Sequence, residues 1–293
     1  RLAANHRDQW PSIPKAYVTT SASIDFPILR KLIPQGDVLG VGISGLSDVS
    51  GNSALKLNYG SLSLSYHKAF DEDGYNTLGI GFQGTYSSLG LDVTKLRFED
   101  ELTQNGFSQG TSSEYIGTNP LTGKNRNYTD FSAGFLFSGS SNGENNYYLG
   151  VSMYHINRPK ISFKDRQDWS LSSRITVHGG GTFPLSDALD LNVSVLHQAQ
   201  SKSSETVLGG ALSYNIKSNT ENPTSIYMGS WLRIKDAIIP YVGLEIGNLR
   251  IGASYDVNTS GLKSASLSKG GSEFSIIYIK KAPENKGIPC PKF

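Results

Sequence analysis

A chain of 293 residues with 27 basic and 25 acidic side chains carries a net charge of +2, too little to steer a polyanion, so nucleic-acid binding is not expected. Its single cysteine, Cys290, excludes an intramolecular disulfide framework and a cysteine-based zinc cage, and its 5 His residues show no metal-ligand spacing. Charged residues make up 18%, below the ~25% usual for soluble proteins, while 32 Gly, 15 Tyr and 12 Phe are more than a helix-rich enzyme normally carries.

Length alone suggests roughly two domains, but all-β barrels of this size run as one unit. No stretch approaches the ~20 consecutive apolar residues of a membrane helix, and the mean hydropathy is −0.30. A barrel escapes that test because its strands are only half apolar. The opening Arg1-Leu2-Ala3-Ala4 has neither an initiator Met nor a signal peptide, so the numbering is expected to begin inside a processed or truncated chain.

In chain order, the sequence predicts strands near 1–10, 17–24, 36–46, 57–67, 76–88, 129–138, 145–156, 173–183, 189–199, 205–216, 225–235, 238–247, 248–257 and 272–280, about fourteen in all. Each rests on period-two alternation broken by Gly, Asn, Ser and Asp. In 76–88, Leu78, Ile80, Phe82 and Tyr86 alternate with Thr77, Gly79, Gly81, Gln83 and Thr85. The split recurs in Phe131, Ala133, Phe135 and Phe137, in Tyr147, Leu149, Val151 and Met153, and in Leu249, Ile251, Ala253, Tyr255 and Val257. The opposite faces are rich in Gly and Ser and often carry a charge, which suits a wet or tightly filled lumen better than a dry sandwich core. The fold class is therefore all-β, a closed antiparallel transmembrane barrel whose even strand count leaves both termini on one side.

Counting back from a periplasmic C-terminus places the short connections 139–144, 184–188, 217–224 and 247–248 in the periplasm and the long ones, 89–128, 157–172 and 258–271, outside, as in outer-membrane barrels. Two connections fit less well: 235–238 is very tight for an outer loop and 25–35 is long for a periplasmic turn. Segment 89–128 is expected to fold over or into the barrel mouth, with Val93, Leu96 and Leu102 in a short helix capped by Asp92. The domain reading is a barrel over 1–280 and an irregular periplasmic tail over 281–293, where Pro283, Pro289 and Pro291 oppose another strand.

No catalytic signature stands out. Gly179-Gly180-Gly181 leads to Thr182-Phe183-Pro184 and a turn, not to a phosphate-binding helix. A barrel lipase would need a rim His, for which His155 and His197 are the candidates, although His and Tyr are ordinary members of an interfacial girdle. Tyr147, Tyr148, Tyr154, Tyr255 and Tyr278 are expected at the membrane interfaces. Arg174 and His178 share one inner face, and Arg233, Glu245, Arg250 and Asp256 share those of consecutive late strands. These six residues read as a salt-bridged lumen network, with the holding of a partner segment or substrate as the alternative.

Several blocks carry a family likeness. Arg7-Asp8-Gln9-Trp10-Pro11 resembles the Arg-x-Gln-Trp element of PorP/SprF proteins of the Bacteroidetes type IX secretion system. Leu78-Gly79-Ile80-Gly81-Phe82 through Gly90-Leu91-Asp92, and Tyr148 through Ile156-Asn157-Arg158-Pro159, resemble its most characteristic blocks, and Cys290-Pro291-Lys292-Phe293 is similar to its terminal Cys-Pro-Arg-Phe, with Lys in place of Arg. The Asn-Pro-Ala element that members carry near the mature N-terminus is missing. The resemblance implies a non-enzymatic barrel in the bacterial outer membrane, without a cofactor, that supports export or surface anchoring of a large adhesin in secretion and gliding motility. Implied partners are the C-terminal domain of the secreted adhesin, the translocon, the periplasmic ring and motor, and the lipid bilayer. Residues of these blocks expected to touch a partner are Arg7, Trp10, His155, Arg158, Pro159, Cys290, Pro291, Lys292 and Phe293. The competing reading is a channel or transporter for a small or hydrophobic solute.

Overall fold

A computed structural model describes residues 1–10, 17–71, 74–116, 121, 125–163, 169–217, 223–261 and 269–280. The strands are β1 (Leu2–Gln9), β2 (Tyr17–Ile28), β3 (Val38–Ser50), β4 (Leu55–Ala69), β5 (Thr77–Leu91), β6 (Leu102–Thr103), β7 (Gly106–Phe107), β8 (Arg126–Gly139), β9 (Asn146–Tyr154), β10 (Arg174–Ser186), β11 (Leu189–Gln200), β12 (Ser203–Lys217), β13 (Thr224–Arg233), β14 (Ala237–Ile246), β15 (Leu249–Asn258) and β16 (Lys269–Tyr278). All but β6 and β7, which pair only with each other, form one closed antiparallel sheet in which β1 pairs with both β2 and β16. These fourteen strands coincide with those expected from alternation. Closure matters because it leaves no edge with unpaired backbone groups facing lipid.

Alternation decides which side chains face out. Ile43, Leu62, Phe82, Phe135, Leu149, Val195, Met228, Val242, Ile251 and Phe274 form part of an exposed apolar belt around the outside. Along β4 the outward positions run Lys56, Asn58, Gly60, Leu62, Leu64, Tyr66, Lys68, so two lysines bracket the apolar stretch. At a strand tilt near 40° the separation of those lysines along the barrel axis is about 30 Å, which matches a membrane-embedded band with polar rims.

Both described chain ends lie at one end of the barrel, called here the terminal end, since Leu2 pairs with Tyr278. The opposite, far end carries the connections after β5 and β9, which are the longest. It also has tight turns, after β11 and β13, where Ser201 and Lys235 adopt positive φ of 54° and 64°. The connection at 235–238 that fitted poorly as an outer loop is one of these. At the terminal end the long connection is shortened by β2 itself, which continues to Ile28, beyond its expected end at 24. There the buried carboxylate of Asp37 accepts bonds from Tyr66, from the Ala69 N–H at 2.9 Å and from Lys68 at 3.2 Å. Burial pushes its pKa up, and these donors together bring it below the ordinary 3.8.

Inward glycines let large rings lie across neighbouring strands. Gly209 on β12 stands opposite Trp231 on β13, whose indole Nε1 donates to Ser194 Oγ on β11 at 2.8 Å and whose ring meets Tyr241 on β14 edge-on at 5.6 Å. A Cβ on Gly209 would overlap the Ser230 carbonyl and the Trp231 Cα, both of which are backbone. Gly209→Ala should therefore destabilise the barrel by about 1–3 kcal/mol, read as a lower urea midpoint of the folded, heat-modifiable band; an unchanged midpoint would refute this packing.

Candidate functional site

The inner surface divides into two chemically different walls. On the arc from β12 through β16 to β1, charges alternate with each other across strands. Toward the far end Asp256 on β15 accepts from Arg7 on β1 at 2.7 Å and from Arg233 on β13 at 2.8 Å. Arg233 also bonds Glu205 on β12 at 2.9 Å and Asp236 at 3.2 Å, while Glu273 on β16 takes the Asn5 amide at 2.5 Å. The result is a belt spanning strands that are far apart in sequence. Beside it is a hollow of about 360 Å³ lined by Arg7, Gln9, Ser204, Glu205, Arg233 and Asp236.

The same arc is where the sheet is locally interrupted. Pro240 on β14 has no N–H to give β15, and the pairing between these strands skips residues 239 and 240. One strand further round, the register of β15 against β16 shifts between Asp256 and Val257. Side-chain pairing on this arc spans both irregularities. A separate group sits toward the terminal end: Arg250 bonds Glu245 at 2.6 Å and lies 4.2 Å over the Tyr227 ring, whose hydroxyl donates to Glu245 at 3.0 Å.

The other wall, from β4 to β10, is built from Ser, Thr and Tyr. Ser61 and Thr85 bond each other at 2.9 Å, Tyr148 packs against His178 at 5.9 Å, and Arg174 lies 4.4 Å over Tyr154. Tyr148 and Tyr154 therefore face the lumen and not the membrane interface. Tyr147 and Tyr148 are adjacent and a strand sends neighbours to opposite faces, so only Tyr147 keeps the expected side. Tyr255 and Tyr278 are exposed on the outside.

At the far rim of this wall, β9 ends in a built corner. His155 turns left-handed, φ 57°, and its Nδ1 lies 2.8 Å from buried Asp130 on β8. The Ile156 N–H then bonds the Phe131 carbonyl at 3.0 Å. Asn157 replaces a further strand residue, taking the Phe131 N–H at 3.1 Å and donating to the Thr129 carbonyl at 2.7 Å. Arg158, also left-handed at φ 45°, reaches Ser173 Oγ at 3.3 Å. The buried Pro159 accepts from the Leu171 N–H at 2.9 Å, tying the two stems of the loop. Among the described residues no serine or threonine hydroxyl is bonded to the other ring nitrogen of His155. His197 points outward and pairs with Thr206 Oγ1 at 2.8 Å.

The loop after β5 is compact. A 3-10 turn, Val93–Lys95, is capped by Asp92, whose side chain accepts from the Thr94 N–H. The expected helix stops there, and Leu102 instead opens the β6–β7 hairpin opposite Phe107. Glu101 is fully buried and accepts from the Phe98 N–H at 3.1 Å and the Gly110 N–H at 2.6 Å. Asp100 gathers the Ser112 and Ser113 hydroxyls at 3.0 Å and the Ser113 N–H at 2.8 Å, just before a short helical turn, α1 (Ser113–Ile116). Two bonds, Asp92 N–H to the Ala54 carbonyl and Lys95 to the Ser53 carbonyl, tie the loop to the turn after β3. Its tip leaves Leu102 59% and Phe107 56% exposed, and Trp169 on the loop after β9 is 68% exposed.

A family model for the type IX secretion system membrane protein PorP/SprF matches residues 1–278. The chain belongs to the PorP/SprF family. With the closed barrel, this makes it an outer-membrane protein. No curated protein matches. Among solved structures, the chain is similar to the KdgM porin in complex with disordered oligogalacturonate, with 9% identity over 96% of this chain and 99% of that one and a TM-score of 0.44. It is also similar to the toluene transporter TbuX of Ralstonia pickettii, with 12% identity, 94% and 86% covered and a TM-score of 0.49. A third is BamA from Haemophilus ducreyi lacking POTRA domains 1–3, with 10% identity, 94% and 69% covered and a TM-score of 0.44.

Two of the PorP/SprF blocks named from sequence end in structural corners, at Trp10 and at His155–Pro159, while Leu78–Phe82 lies within β5. Arg7 is part of the lumen belt. Trp10, left-handed at φ 57°, donates its N–H to the Gly270 carbonyl at 2.7 Å and packs edge-on against Tyr17 at 5.3 Å. His155, Arg158 and Pro159 form the rim corner. Cys290, Pro291, Lys292 and Phe293 lie outside the described residues. The six lumen residues all face inward but do not form one network: Arg233 and Asp256 join at the far end, Glu245 and Arg250 at the terminal end, and Arg174 and His178 stand on the opposite wall. The reason is register, since residues on consecutive strands share a face without sharing a height. Glu205, Asp236 and Glu273 complete the belt and were not singled out from sequence; their signal is a charge at inward parity near a strand end.

Removing the carboxylate that both belt arginines share should cost far more than removing a half-exposed one. Asp256, with a 5% exposed side chain, takes the best-buried partner from two guanidinium groups when lost and leaves them only more exposed carboxylates, so Asp256→Ala should destabilise by about 2–4 kcal/mol, whereas Glu205→Ala, at 37% exposed, should cost about 1 kcal/mol or less. Urea titration of both variants checks the order.

The loop makes a pH prediction. The Ser112 hydroxyl, then the Ser113 N–H, hold the Asp100 carboxyl below 3.8. Its folded-state pKa is thus lower than in an open loop. The stabilisation is full above pH 3.8 and is lost as pH falls through the lower folded-state value. Hydrogen exchange over 98–113, corrected for intrinsic rates, should rise at pH 3 relative to pH 6, and Asp100→Asn should show that rise at both pH values; equal protection in the wild type at the two pH values would refute it.

Proposed function

We propose that this PorP/SprF barrel is a non-enzymatic partner in type IX secretion, supporting export or surface anchoring of a large adhesin through that adhesin's C-terminal domain. In this reading the far end faces outward and engages the secreted chain, while the terminal end and tail 281–293 face the periplasmic ring and motor, and the translocon is the neighbour in the membrane. Gliding motility is the process such a display would serve in a gliding bacterium.

The observation that carries the reading is family membership over 1–278 together with a far-end loop that is internally bonded yet presents apolar side chains. A soluble loop normally buries Leu and Phe or lets them move. Here the buried Glu101 and the Asp100 bonds hold the base, so Leu102 and Phe107 stay fixed in solvent. Fixed apolar tips cost little further ordering on binding, which favours a docking role.

The test is surface display. Leu102→Ser with Phe107→Ser should reduce display of the cognate adhesin by roughly tenfold, with barrel abundance and heat-modifiability unchanged. Co-purification from native membranes should recover the adhesin or a secretion component with the wild type and less with the variant. Recovery of neither, joined to a steady single-channel conductance in planar bilayers, would replace this reading with that of a solute channel.

A further inference from the structure

Of the inward arginines, Arg126 makes an interaction of its own at the far end of β8, and Arg7, Arg233 and Arg250 each bond a carboxylate. Arg174 does not. It lies flat over Tyr154, and its Nε is buried with no hydrogen-bond partner among the described residues. The hydroxyl of Thr176, two residues along the same inward face, is likewise without a partner, although Thr176 is only 6% exposed. Register places Ser152 beside Thr176 and Tyr154 beside Arg174. The phenol of Tyr59, on β4, four strands round the barrel from β10, lies within electrostatic reach of Arg174. An unneutralised, half-buried cation is uncommon in a folded chain. Here it is flanked by hydroxyl donors and held in orientation by a ring.

We propose that Arg174 and Thr176, with the Tyr154 ring as a wall, form a lumen site for a carboxylate. The planar guanidinium fork matches a carboxylate's two oxygens, the stacking on Tyr154 fixes the plane of that fork, and the Thr176 hydroxyl offers one more donor. One guanidinium fork engages one carboxylate group, whatever the rest of the ligand carries. The carboxylate is supplied either by a small organic acid or by an acidic residue of a polypeptide inside the barrel. The site stands independently of the secretion reading.

Saturation-transfer difference NMR on the full chain in detergent micelles, at constant ionic strength, tests it with three probes: glutarate, an end-capped Gly-Asp-Gly peptide and its Gly-Asn-Gly counterpart. Signal from glutarate alone assigns the site to a small acid, signal from the Asp peptide assigns it to acidic residues of a chain, and either supports it. Arg174→Met should weaken the signal about tenfold and the near-isosteric Thr176→Val about threefold, with Arg174→Lys intermediate. Silence from both acids, an equal signal from the Asn peptide, or an unchanged signal in Arg174→Met overturns the proposal. Heat-modifiable mobility reports folding of each variant. If Arg174→Met does not fold, an unchanged signal in Thr176→Val overturns it.

Discussion

A backbone that crosses hydrocarbon must pair every N–H and C=O inside itself, and a sheet can do so only by closing. The other features follow from that closure. Once β1 pairs with β16, each residue has a fixed side, and the side chain's medium is set by whether its number is odd or even within its strand. Phe82, Phe135 and Phe274 fall on the lipid side. Tyr148, Tyr154 and Tyr227 fall on the inner side, where each hydroxyl can meet a polar group. The excess of aromatics in the composition is therefore two populations with different tasks.

The strands were legible because period-two alternation is a local property of ten residues at a time. What joins the lumen is not local. Arg7 and Asp256 are 249 residues apart, and their meeting depends on the register of β1 on β16 and of β16 on β15, including the shift beside Asp256 itself. Parity can be read from a sequence; height cannot, which is why Arg233, Glu245, Arg250 and Asp256 looked like one group and form two. The loop after β5 was hidden for another reason. Its order comes from Glu101 and Asp100 serving backbone N–H groups, and an acidic run such as Glu99-Asp100-Glu101 ordinarily marks a solvated surface.

Burying charge in the lumen is costly unless it is paired, and the pairing is placed where the sheet needs it. The belt of Arg7, Asp256, Arg233 and Glu205 crosses the arc in which Pro240 interrupts one ladder and a bulge interrupts the next. The ladders between β4 and β5 and between β3 and β4 run without a break, and the wall beside them uses hydroxyl groups and rings with few ions. On the belt's arc the ion pairs span the places where the ladders break. Arg174 lies on the opposite wall, away from that belt.

Two of the blocks by which the chain resembles its family do a common structural job. Trp10, His155 and Arg158 all adopt left-handed backbone at strand ends, a conformation that costs a non-glycine residue free energy and persists because the bonds from Gly270, Asp130 and Ser173 hold it. Asn157 substitutes for a strand residue at the same rim. Such corners set the angle at which a loop leaves the barrel without determining what the loop carries. Leu102, Phe107 and Trp169 lie outside those blocks, on the loops whose stems the corners orient. A barrel built this way holds its corners by bonds that do not involve the loop tips, so the tips can change without disturbing the scaffold.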